Sequence, residues 1–431
     1  MLIRYCWRHC LCLMNIFILI FVLLLCYNYH TKQNKLLSLK LNCLNIKKAK
    51  YENEISIFKL RFNKRLFHLG QRFSHINIDK LLHIQSSSTR TFTYFCSRHC
   101  GGWGDRLRGI TSAYILAILL ERRFVIDMQY PCNLTNFLLP NLIDWKPIYR
   151  INQQKNDLKL DIMHNTYDGE IVSNIATGNL TKIWLNYDNI FFTTNGDLIS
   201  VALKNPFFKL IKTQINIQSN ESTQQQLFPF LFEILFKPTS VIINKIDRLL
   251  VKNSLYFNQS IICMHIRIGQ NPTLQNDKKV LFRQSIVRDM LKFIDKNLSH
   301  SNSSIFVTSD SYQIQQDIYK HYFILYDADF HYAMEVIIYG DDRLLSISGP
   351  IIHIDRFNTK MESNETIYNG FVKVISDFYF LGECDTLLRP RSGFSEWAGR
   401  RRLNEYSNLY MYCRGIHRVT SSKWRRPHNL C

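Results

Sequence analysis

The sequence predicts an α/β protein with two facing Rossmann-like domains behind an N-terminal single-pass transmembrane helix and a stem. Three features support this: an apolar run near the N-terminus, two blocks in which strand-like and helix-like stretches alternate, and glycine-rich or polar turns where strands end. Alternating strands and helices form parallel sheets, and facing sheets enclose a ligand cleft. The 431 residues, 46% of them hydrophobic, suffice for one large or two medium cores. The predicted segments are a cytoplasmic tail (1–10), a transmembrane signal anchor (11–29), a stem (30–90), an N-terminal Rossmann-like domain (91–257) and a C-terminal Rossmann-like domain (258–431).

The apolar run from Leu11 to Tyr29 is long enough to cross a hydrocarbon core of ~30 Å. A cleaved signal peptide also begins with basic residues such as Arg4 and Arg8, but its apolar part usually has ~7–15 residues and ends in small ones. This run ends in CYNYH. The pattern favours an uncleaved signal anchor over a cleaved peptide or a buried soluble helix. Basic residues on both sides leave its orientation open.

Acceptor patterns for N-glycosylation and the number of cysteines indicate that the body of the chain lies in the secretory lumen. All the Asn-x-Ser/Thr patterns follow the apolar run, and so do eight cysteines, an even number that suits disulfides in an oxidising compartment. No paired Cys-x-x-Cys set suggests zinc. The acceptor asparagines are Asn133, Asn179, Asn220, Asn258, Asn297, Asn302 and Asn364, and the cysteines are Cys43, Cys96, Cys100, Cys132, Cys263, Cys384, Cys413 and Cys431.

The formal net charge of +20 would suit nucleic acid, an acidic membrane face or a phosphorylated substrate. A lumenal protein rarely meets nucleic acid, so a small molecule that carries phosphate is the favoured partner. Most of the lysines and arginines are expected to be ordinary solvated surface residues.

The first rhythmic block predicts a βαβ unit. A strand at TFTYF (91–95) leads into the loop CGGWGD, then into a helix with apolar residues at helical spacing from Leu107 to Leu120, and then into a strand at FVIDM (124–128). Gly101, Gly102 and Gly104, ahead of Arg106, form a candidate anion-binding loop, although glycines alone are weak evidence.

The second block begins with the strand IICMHIRIG, in which His265 and Arg267 share one face near the carboxyl end. Parallel sheets bind ligands at that end, and an arginine there can hold phosphate or form a local ion pair. A helix is predicted at about 283–298, a strand at 304–308, a helix near 312–319 and a strand at 322–326. Asp310, after its strand, could contact a nucleotide or cap the following helix.

The last part of the block predicts a strand at 351–354, a helix at 365–381, a strand at 386–388 and a helix at about 396–403. Ser392, Gly393, Phe394 and Ser395 precede that final helix. They could present free N–H groups to an anion, or a serine could simply cap the helix. The Asp327-Ala-Asp329 pair has the spacing of a metal-binding Asp-x-Asp motif, and a loop is the favoured interpretation.

Four of these segments, in this order, resemble motifs of the fucosyltransferase superfamily that includes the α1,2-, α1,6- and protein O-fucosyltransferases. GGWGDRLRG, followed by LLPNLIDW, is similar to the amino-terminal motif of xyloglucan-type enzymes. HIRIG resembles the His-x-Arg-x-Gly motif, SIFVTSD a strand followed by Thr-Asp, and RSGFSEWAGR a Ser-x-Phe-Ser motif. The chain departs from the pattern at Gln270, where Asp is common, and at Ser309, which separates Thr308 from Asp310.

The resemblance implies a two-domain GT-B fold and metal-independent, inverting transfer of fucose from GDP-fucose. It implies that Arg267 holds the β-phosphate, that His265 lies beside the nucleotide, that Asp310 reaches the base or ribose, and that Ser392–Ser395 bind the diphosphate. The glycine loop and Arg106 join this donor site. No general base is named; His99 and Asp105 lie in the expected cleft loop.

The expected protein is therefore a single-pass Golgi enzyme that acts on a glycan hydroxyl. The anchor and stem favour it over the alternative, a protein O-fucosyltransferase, because soluble ER enzymes usually carry a cleaved signal and often a retention tail. The C-terminal residues HNLC are not a KDEL-like signal. A non-catalytic lumenal glycan-binding protein of the same fold is the third reading. Arg267, His265 and Ser392 argue for an enzyme, although phosphate-binding residues say little about which sugar the donor carries.

Overall fold

A computed structural model describes residues 56–98, 100–147, 156–163, 169–217, 224–256, 260–267, 283–298, 303–311, 314, 318, 344–347, 350–352, 354, 363–413 and 415–420. The predicted tail and signal anchor lie outside these residues. Within the described part of the chain, no helix is both long and apolar enough to cross a membrane.

The protein is mixed α/β, as predicted. The helices are α1 (Ile57–Arg72), α2 (Ile78–Ser87), α3 (Trp103–Leu119), α4 (Glu170–Thr177), α5 (Leu180–Ile183), α6 (Ile199–Lys204), α7 (Lys209–Ile215), α8 (Gln224–Leu235), α9 (Ser240–Tyr256), α10 (Arg283–Asn297), α11 (Asn364–Leu381) and α12 (Gly393–Arg400). The strands are β1 (Thr91–Cys96), β2 (Arg123–Met128), β3 (Leu138–Pro140), β4 (Asp157–Asp161), β5 (Asn189–Thr193), β6 (Phe236–Pro238), β7 (Ser260–Ile266), β8 (Ser303–Ser309), β9 (Leu344–Leu345), β10 (Thr386–Arg389), β11 (Leu409–Tyr412) and β12 (Ile416–Arg418).

The first sheet contains four parallel strands in the order β2-β1-β5-β4. β1 is its centre, with Thr91 opposite Arg123 on one side and Asn189 on the other. Aromatic and β-branched residues fill β1, as expected for a strand paired on both edges. Their side chains are mostly buried, so β1 is a covered strand, whereas the edge strand β4 is partly exposed.

Helix α3 follows β1 and is buried on nearly every face. It packs against β1 and β2 on one side and against α8 and α12 on the other. Trp103, its first residue, lies edge-on to Phe371 and Phe378 of α11, with ring centroids 5.9 Å and 6.2 Å apart. A helix that is apolar all round belongs between two layers. α3 therefore joins the first sheet to the C-terminal half of the chain.

The second sheet contains six strands in the order β12-β11-β10-β7-β8-β9. All pairings are parallel except that of β11 with β12. The strands predicted at IICMHIRIG (261–269), 304–308 and 386–388 are confirmed as β7, β8 and β10, with β7 ending at Ile266. These three lie side by side, so their carboxyl ends open on the same edge of the sheet.

The prediction of a strand at 351–354 is wrong. Ile351 and Ile352 are irregular backbone that forms the wall of a cavity described below. Apolar β-branched residues favour strands, but here both side chains are half-buried beside the cavity, and Gly370 of α11 makes room for Ile352. The helix predicted near 312–319 and the strand at 322–326 fall largely or wholly outside the described residues.

Packed helices occupy the described part of the predicted stem, from Ile57 onward. The stem was predicted to extend to residue 90, yet α1 packs against α8 and α9 and α2 packs against β2 and α7. Phe58 is 1% exposed, and Phe58 and Tyr379 have ring centroids 5.8 Å apart. Apolar residues at helical spacing make both helices part of the core.

Two disulfides lie close to the ends of the central strands. Cys96 at the end of β1 is bonded to Cys100, and Cys263 in β7 is bonded to Cys384, just before β10. Cys413 is also disulfide-bonded. The prediction of disulfides is confirmed.

A buried ion network ties α1 to the rest of the fold. Arg65 pairs with Glu233 of α8, N to O 3.5 Å, and with Glu383 after α11. Arg401 donates to the same Glu233 carboxylate from Nε at 3.0 Å, and its guanidinium lies 4.2 Å from the Tyr379 ring centroid. The nearby carboxylates raise the Arg65 pKa against the opposing effect of burial. Both arginines are thus compensated cations inside the core.

Removing Arg65 should destabilise the protein strongly. Arg65→Met leaves Glu383 buried with less compensation, and we expect a loss of about 3–5 kcal/mol in the free energy of unfolding, measured by denaturant titration. The matched control is Arg61→Met. Arg61 also pairs with Glu383, but its side chain is 39% exposed, so its loss should cost at most about 1 kcal/mol. Equal losses in the two variants would show that burial does not govern this network.

Candidate functional site

A cavity of about 350 Å³ lies at the carboxyl ends of strands from both sheets. The loop after β1 and Asn195 after β5 contribute from the first sheet. The ends of β7 and β8 and the turn after β10 contribute from the second. This is the edge at which parallel sheets bind ligands.

Most of the sequence-predicted site residues come together in this cavity. They belong to four segments that are far apart in the chain. The predicted residues that line the cavity are Gly101, Gly102, Gly104, His265, Arg267, Asp310, Ser392, Gly393 and Phe394; Asp105 lines it as well.

Two helix N-termini meet at the cavity. A Cβ atom added to Gly104 in α3 would lie 2.7 Å from the carbonyl carbon of Gly393 and the nitrogen of Phe394, at the start of α12. Gly101 has φ of +81°, which favours glycine. The glycines therefore let two backbone segments touch and bring both sets of free N–H groups to one place, as an anion requires.

Ser392 holds the N-cap position of α12 but its side chain does not cap the helix. Its hydroxyl is buried, lines the cavity and has no hydrogen-bond partner among the described residues. The geometry therefore disfavours the interpretation of Ser392 as a side-chain cap of the helix. A buried unpaired hydroxyl is better explained by a ligand.

Arg106 does not line the cavity, contrary to its predicted role in the donor site. It is fully buried, and its guanidinium donates to the carbonyl oxygens of Gly101 (2.8 Å), Tyr130 and Ile354 (3.2 Å). Because the planar guanidinium group binds three carbonyls from separate segments, it holds the glycine loop in position. Arg106 is a positioning residue.

Ser395 is also absent from the cavity wall. It is fully buried inside α12, and its hydroxyl donates to the Ser392 carbonyl oxygen at 3.4 Å. A residue in the first turn of a helix points according to the helical period, and here that direction is into the core. The motif pattern alone does not reveal this orientation.

His265 is a neutral imidazole in the cavity wall. Burial lowers its pKa to about 3, and the charges of Arg267 and Arg389 act in the same direction. Its ring centroid lies 5.4 Å from that of Phe394. Nδ1 is buried without a partner among the described residues, so it can accept from or donate to a bound molecule. Arg267 follows β7, is exposed and lines the cavity.

Sequence reasoning missed a polar cluster on the cavity wall formed by Thr308, Lys373 and Asp377. Thr308 Oγ1 and Lys373 Nζ each donate to Asp377 Oδ2 at 2.7 Å. Asp377 Oδ1 is buried and has no partner among the described residues. Burial raises the Asp377 pKa, against the opposing effects of Lys373, Thr308 and Lys245. The i,i+4 spacing of Lys373 and Asp377 in a predicted helix was the available signal.

Apolar side chains complete the wall. Pro350, Ile351, Ile352 and Ile354 line the cavity, as does Val374 of α11. A cavity with apolar walls and a few convergent polar groups is the usual form of a site for a planar, partly polar ligand.

Within the described part of the chain, no group of three or more potential metal ligands lies together. Asp327 and Asp329, His99 and Gln270 lie outside the described residues.

Asp197, two residues after Asn195, is a second carboxylate that sequence reasoning missed. Burial raises its pKa to about 6 from an ordinary value of 3.8. The backbone N–H of Ile199 donates to Oδ1 at 3.3 Å, and Arg108 opposes the rise while Glu396 adds to it. Near neutral pH the ionised Asp197 carboxylate therefore destabilises the folded state.

Asp197→Asn should stabilise the protein near neutral pH. The folded state binds this proton more tightly than the unfolded state, so ionisation between about pH 3.8 and 6 removes stability. We expect the variant to gain on the order of 1 kcal/mol at about pH 7.5 and nothing at about pH 3.5, by denaturant titration at both values. A gain of equal size at both pH values would assign it to packing instead of charge.

Comparisons with known proteins give fold-level likenesses only. No protein-family model matches the chain, and no curated protein matches its sequence. Among solved structures, the chain is similar to a GDP complex of an Arabidopsis thaliana FUT1 mutant, at 12% identity and a TM-score of 0.49, covering 85% of this chain and 80% of that one. It is also similar to the fucosyltransferase NodZ from Bradyrhizobium, at 15% identity and a TM-score of 0.43, covering 77% and 98%. The NodZ α-1,6-fucosyltransferase soaked with GDP-fucose is similar at 16% identity and a TM-score of 0.41, and the match covers 73% of this chain and 93% of that one. Identities and TM-scores this low leave the function to be argued from the site.

Proposed function

We propose that the chain is a glycosyltransferase of GT-B-like fold that transfers L-fucose from GDP-fucose to a glycan hydroxyl, with inversion, in the Golgi lumen. The single observation that carries the proposal is the cavity between the two sheets. It combines one exposed arginine, two helix N-termini and three buried polar atoms without described partners, on Ser392, His265 and Asp377. The four motif resemblances lie on the same cavity or its supports.

The diphosphate belongs at the start of α12. Free N–H groups at Gly393 and Phe394 and the Ser392 hydroxyl can donate to phosphate oxygens, and Arg267 adds a fixed positive charge. Neutral His265 can bind without bringing a second, titrating charge.

The nucleobase belongs between the apolar wall and the polar cluster. Ile351, Ile352 and Val374 offer flat apolar contact, and Asp377 Oδ1 can accept from the N–H groups of a guanine edge. This assignment differs from the one implied by the motif, which gave the base or ribose to Asp310. Asp310 still lines the cavity and remains available to the ribose.

In the reaction, the acceptor oxygen attacks the anomeric carbon of fucose while the bond from that carbon to the β-phosphate oxygen breaks. Negative charge grows on the departing GDP, where Arg267 and the α12 N-terminus stabilise it. The acceptor proton passes to a base on the opposite side. Asp105, in the first turn of α3, lines the cavity with a side chain 44% exposed and is our candidate for that base.

Surface chemistry supports a lumenal location. The disulfides of the described body suit an oxidising compartment. Among the described acceptor asparagines, Asn133, Asn297 and Asn364 are exposed and therefore accessible to glycosylation. The signal anchor at 11–29 and a metal-independent reaction complete the proposal.

Arg267→Ala should abolish most donor turnover. Loss of one charge-stabilising donor typically costs ~10²–10³ in rate, and we expect that loss in GDP-fucose hydrolysis and transfer, assayed with EDTA present. The matched control is Arg288→Ala, which removes a 66%-exposed arginine of α10 and should leave the rate unchanged.

Three results would contradict the proposal: no GDP binding, activity only with a UDP-sugar, or activity only with added Mn²⁺. The last would return attention to Asp327 and Asp329. Transfer to a folded protein domain in place of a glycan would favour the protein O-fucosyltransferase reading.

Gly104→Ala should weaken nucleotide binding without unfolding the protein. The new methyl group would meet Gly393 and Phe394 backbone at 2.7 Å, so the two helix N-termini must separate. We expect GDP affinity to fall about 10-fold or more, by calorimetry. Gly70→Ala is the control, because nothing lies within 4 Å of its added Cβ and alanine has a higher helix propensity than glycine at this exposed position of α1. Unchanged GDP affinity in Gly104→Ala would remove the glycine loop from the site.

A further inference from the structure

Lys373 is a charged side chain in the wall of the cavity that the reaction itself does not use. It is 4% exposed, lies one helical turn before Asp377 and lines the cavity. Its Nζ makes one hydrogen bond among the described residues, to Asp377 Oδ2, while an ammonium has three N–H donors.

The Lys373–Asp377 pair is arranged asymmetrically. Asp377 Oδ2 already accepts from both Lys373 and Thr308, whereas Oδ1 has no described partner. The cluster therefore presents to the cavity a carboxylate oxygen that accepts and, beside it, an ammonium group that donates. Lys245 of α9 is the other cation that acts on Asp377, and it does not line the cavity.

A donor beside an acceptor is complementary to one kind of base edge. Guanine presents the O6 acceptor next to N1–H and N2–H donors, whereas adenine presents an N6 donor next to the N1 acceptor. Buried ion pairs add little net stability, so folding alone does not explain why this pair lies in the cavity wall. A site that leaves a buried polar group unpaired with the wrong ligand rejects that ligand strongly.

We propose that Lys373 donates a hydrogen bond to the O6 atom of guanine while Asp377 Oδ1 accepts from N1–H and N2–H, which makes Lys373 a specificity-determining residue for the nucleobase. This inference rests on the proposed function, because it takes the ligand of the cavity to be a guanine nucleotide. It adds the residue that reads O6. Adenine would set its amino group against the ammonium and its N1 against the carboxylate.

The test is nucleotide binding to the full-length chain, measured by calorimetry with GDP, 6-thioguanosine diphosphate and ADP. The thio analogue keeps the N1 and N2 donors but replaces O6 with sulfur, a weaker acceptor. For the wild-type protein we expect GDP to bind about 10-fold more tightly than the thio analogue and at least about 100-fold more tightly than ADP.

Lys373→Met should weaken GDP binding by about 10–100-fold. In this variant GDP and the thio analogue should bind with about equal affinity, because the hydrogen bond to O6 is gone. Lys373→Arg, which keeps a cationic donor, should restore part of that advantage. Lys245→Met is the matched control: it removes the neighbouring cation that lies off the cavity, and the ratio of the two affinities should stay at the wild-type value.

An unchanged ratio of GDP to thio-analogue affinity in folded Lys373→Met would overturn the inference and leave the proposed function intact. If that variant does not fold, the wild-type protein decides, because equal affinities for GDP and the thio analogue exclude a hydrogen bond to O6. A wild-type protein that binds ADP or UDP but not GDP would overturn the proposed function, and this inference with it.

Discussion

The approach of Gly104 to Gly393 and Phe394 is the contact on which the candidate site depends. It brings the glycine loop after β1 against the turn after β10, with no side chain between the two backbones. Because each loop follows a strand at the carboxyl edge of its sheet, the contact fixes the two edges face to face. The aromatic packing of Trp103 on Phe371 and Phe378 supports this backbone contact by joining the start of α3 to α11. The cavity is what remains between the loops once these contacts are made.

Two sets of buried polar side chains differ in their partners. Arg65, Arg106 and Arg401 have their guanidinium groups directed to carboxylates or carbonyls of the chain, and they hold helices and loops in position. His265 Nδ1 and Asp377 Oδ1 are buried polar atoms whose bonding capacity is left over among the described residues. Leaving such atoms unpaired costs stability, so their place on one cavity is better explained by binding than by folding.

The sequence predicted the local elements well and the contacts between them poorly. Periodicity identified β1, α3, β7, β8, α11 and β10, because each is a long, regular and largely buried element. Motif spacing identified most cavity residues, since strand ends in a parallel sheet share an edge. It could not identify the Thr308–Asp377 hydrogen bond, which joins residues 69 positions apart through the packing of α11 on β8. The predictions that Arg106 and Ser395 face the ligand were wrong for the same reason, because the layer that covers each helix decides which of its side chains point into the core. Ile351 and Ile352 are apolar and β-branched, which favours a strand, but they are half-buried residues of irregular backbone that line the cavity.

The bonding of Arg106 has a consequence for evolution. Its donors bond to backbone carbonyls, which every residue type carries, so Tyr130 and Ile354 can change without loss of these hydrogen bonds while the arginine cannot. Lysine would keep the charge but lose the planar fork that reaches three segments at once. Purifying selection on this position should therefore be as strong as on Arg267, although only the latter faces the cavity. Invariance across an alignment would rank the two arginines together, and only their surroundings separate the scaffold from the chemistry.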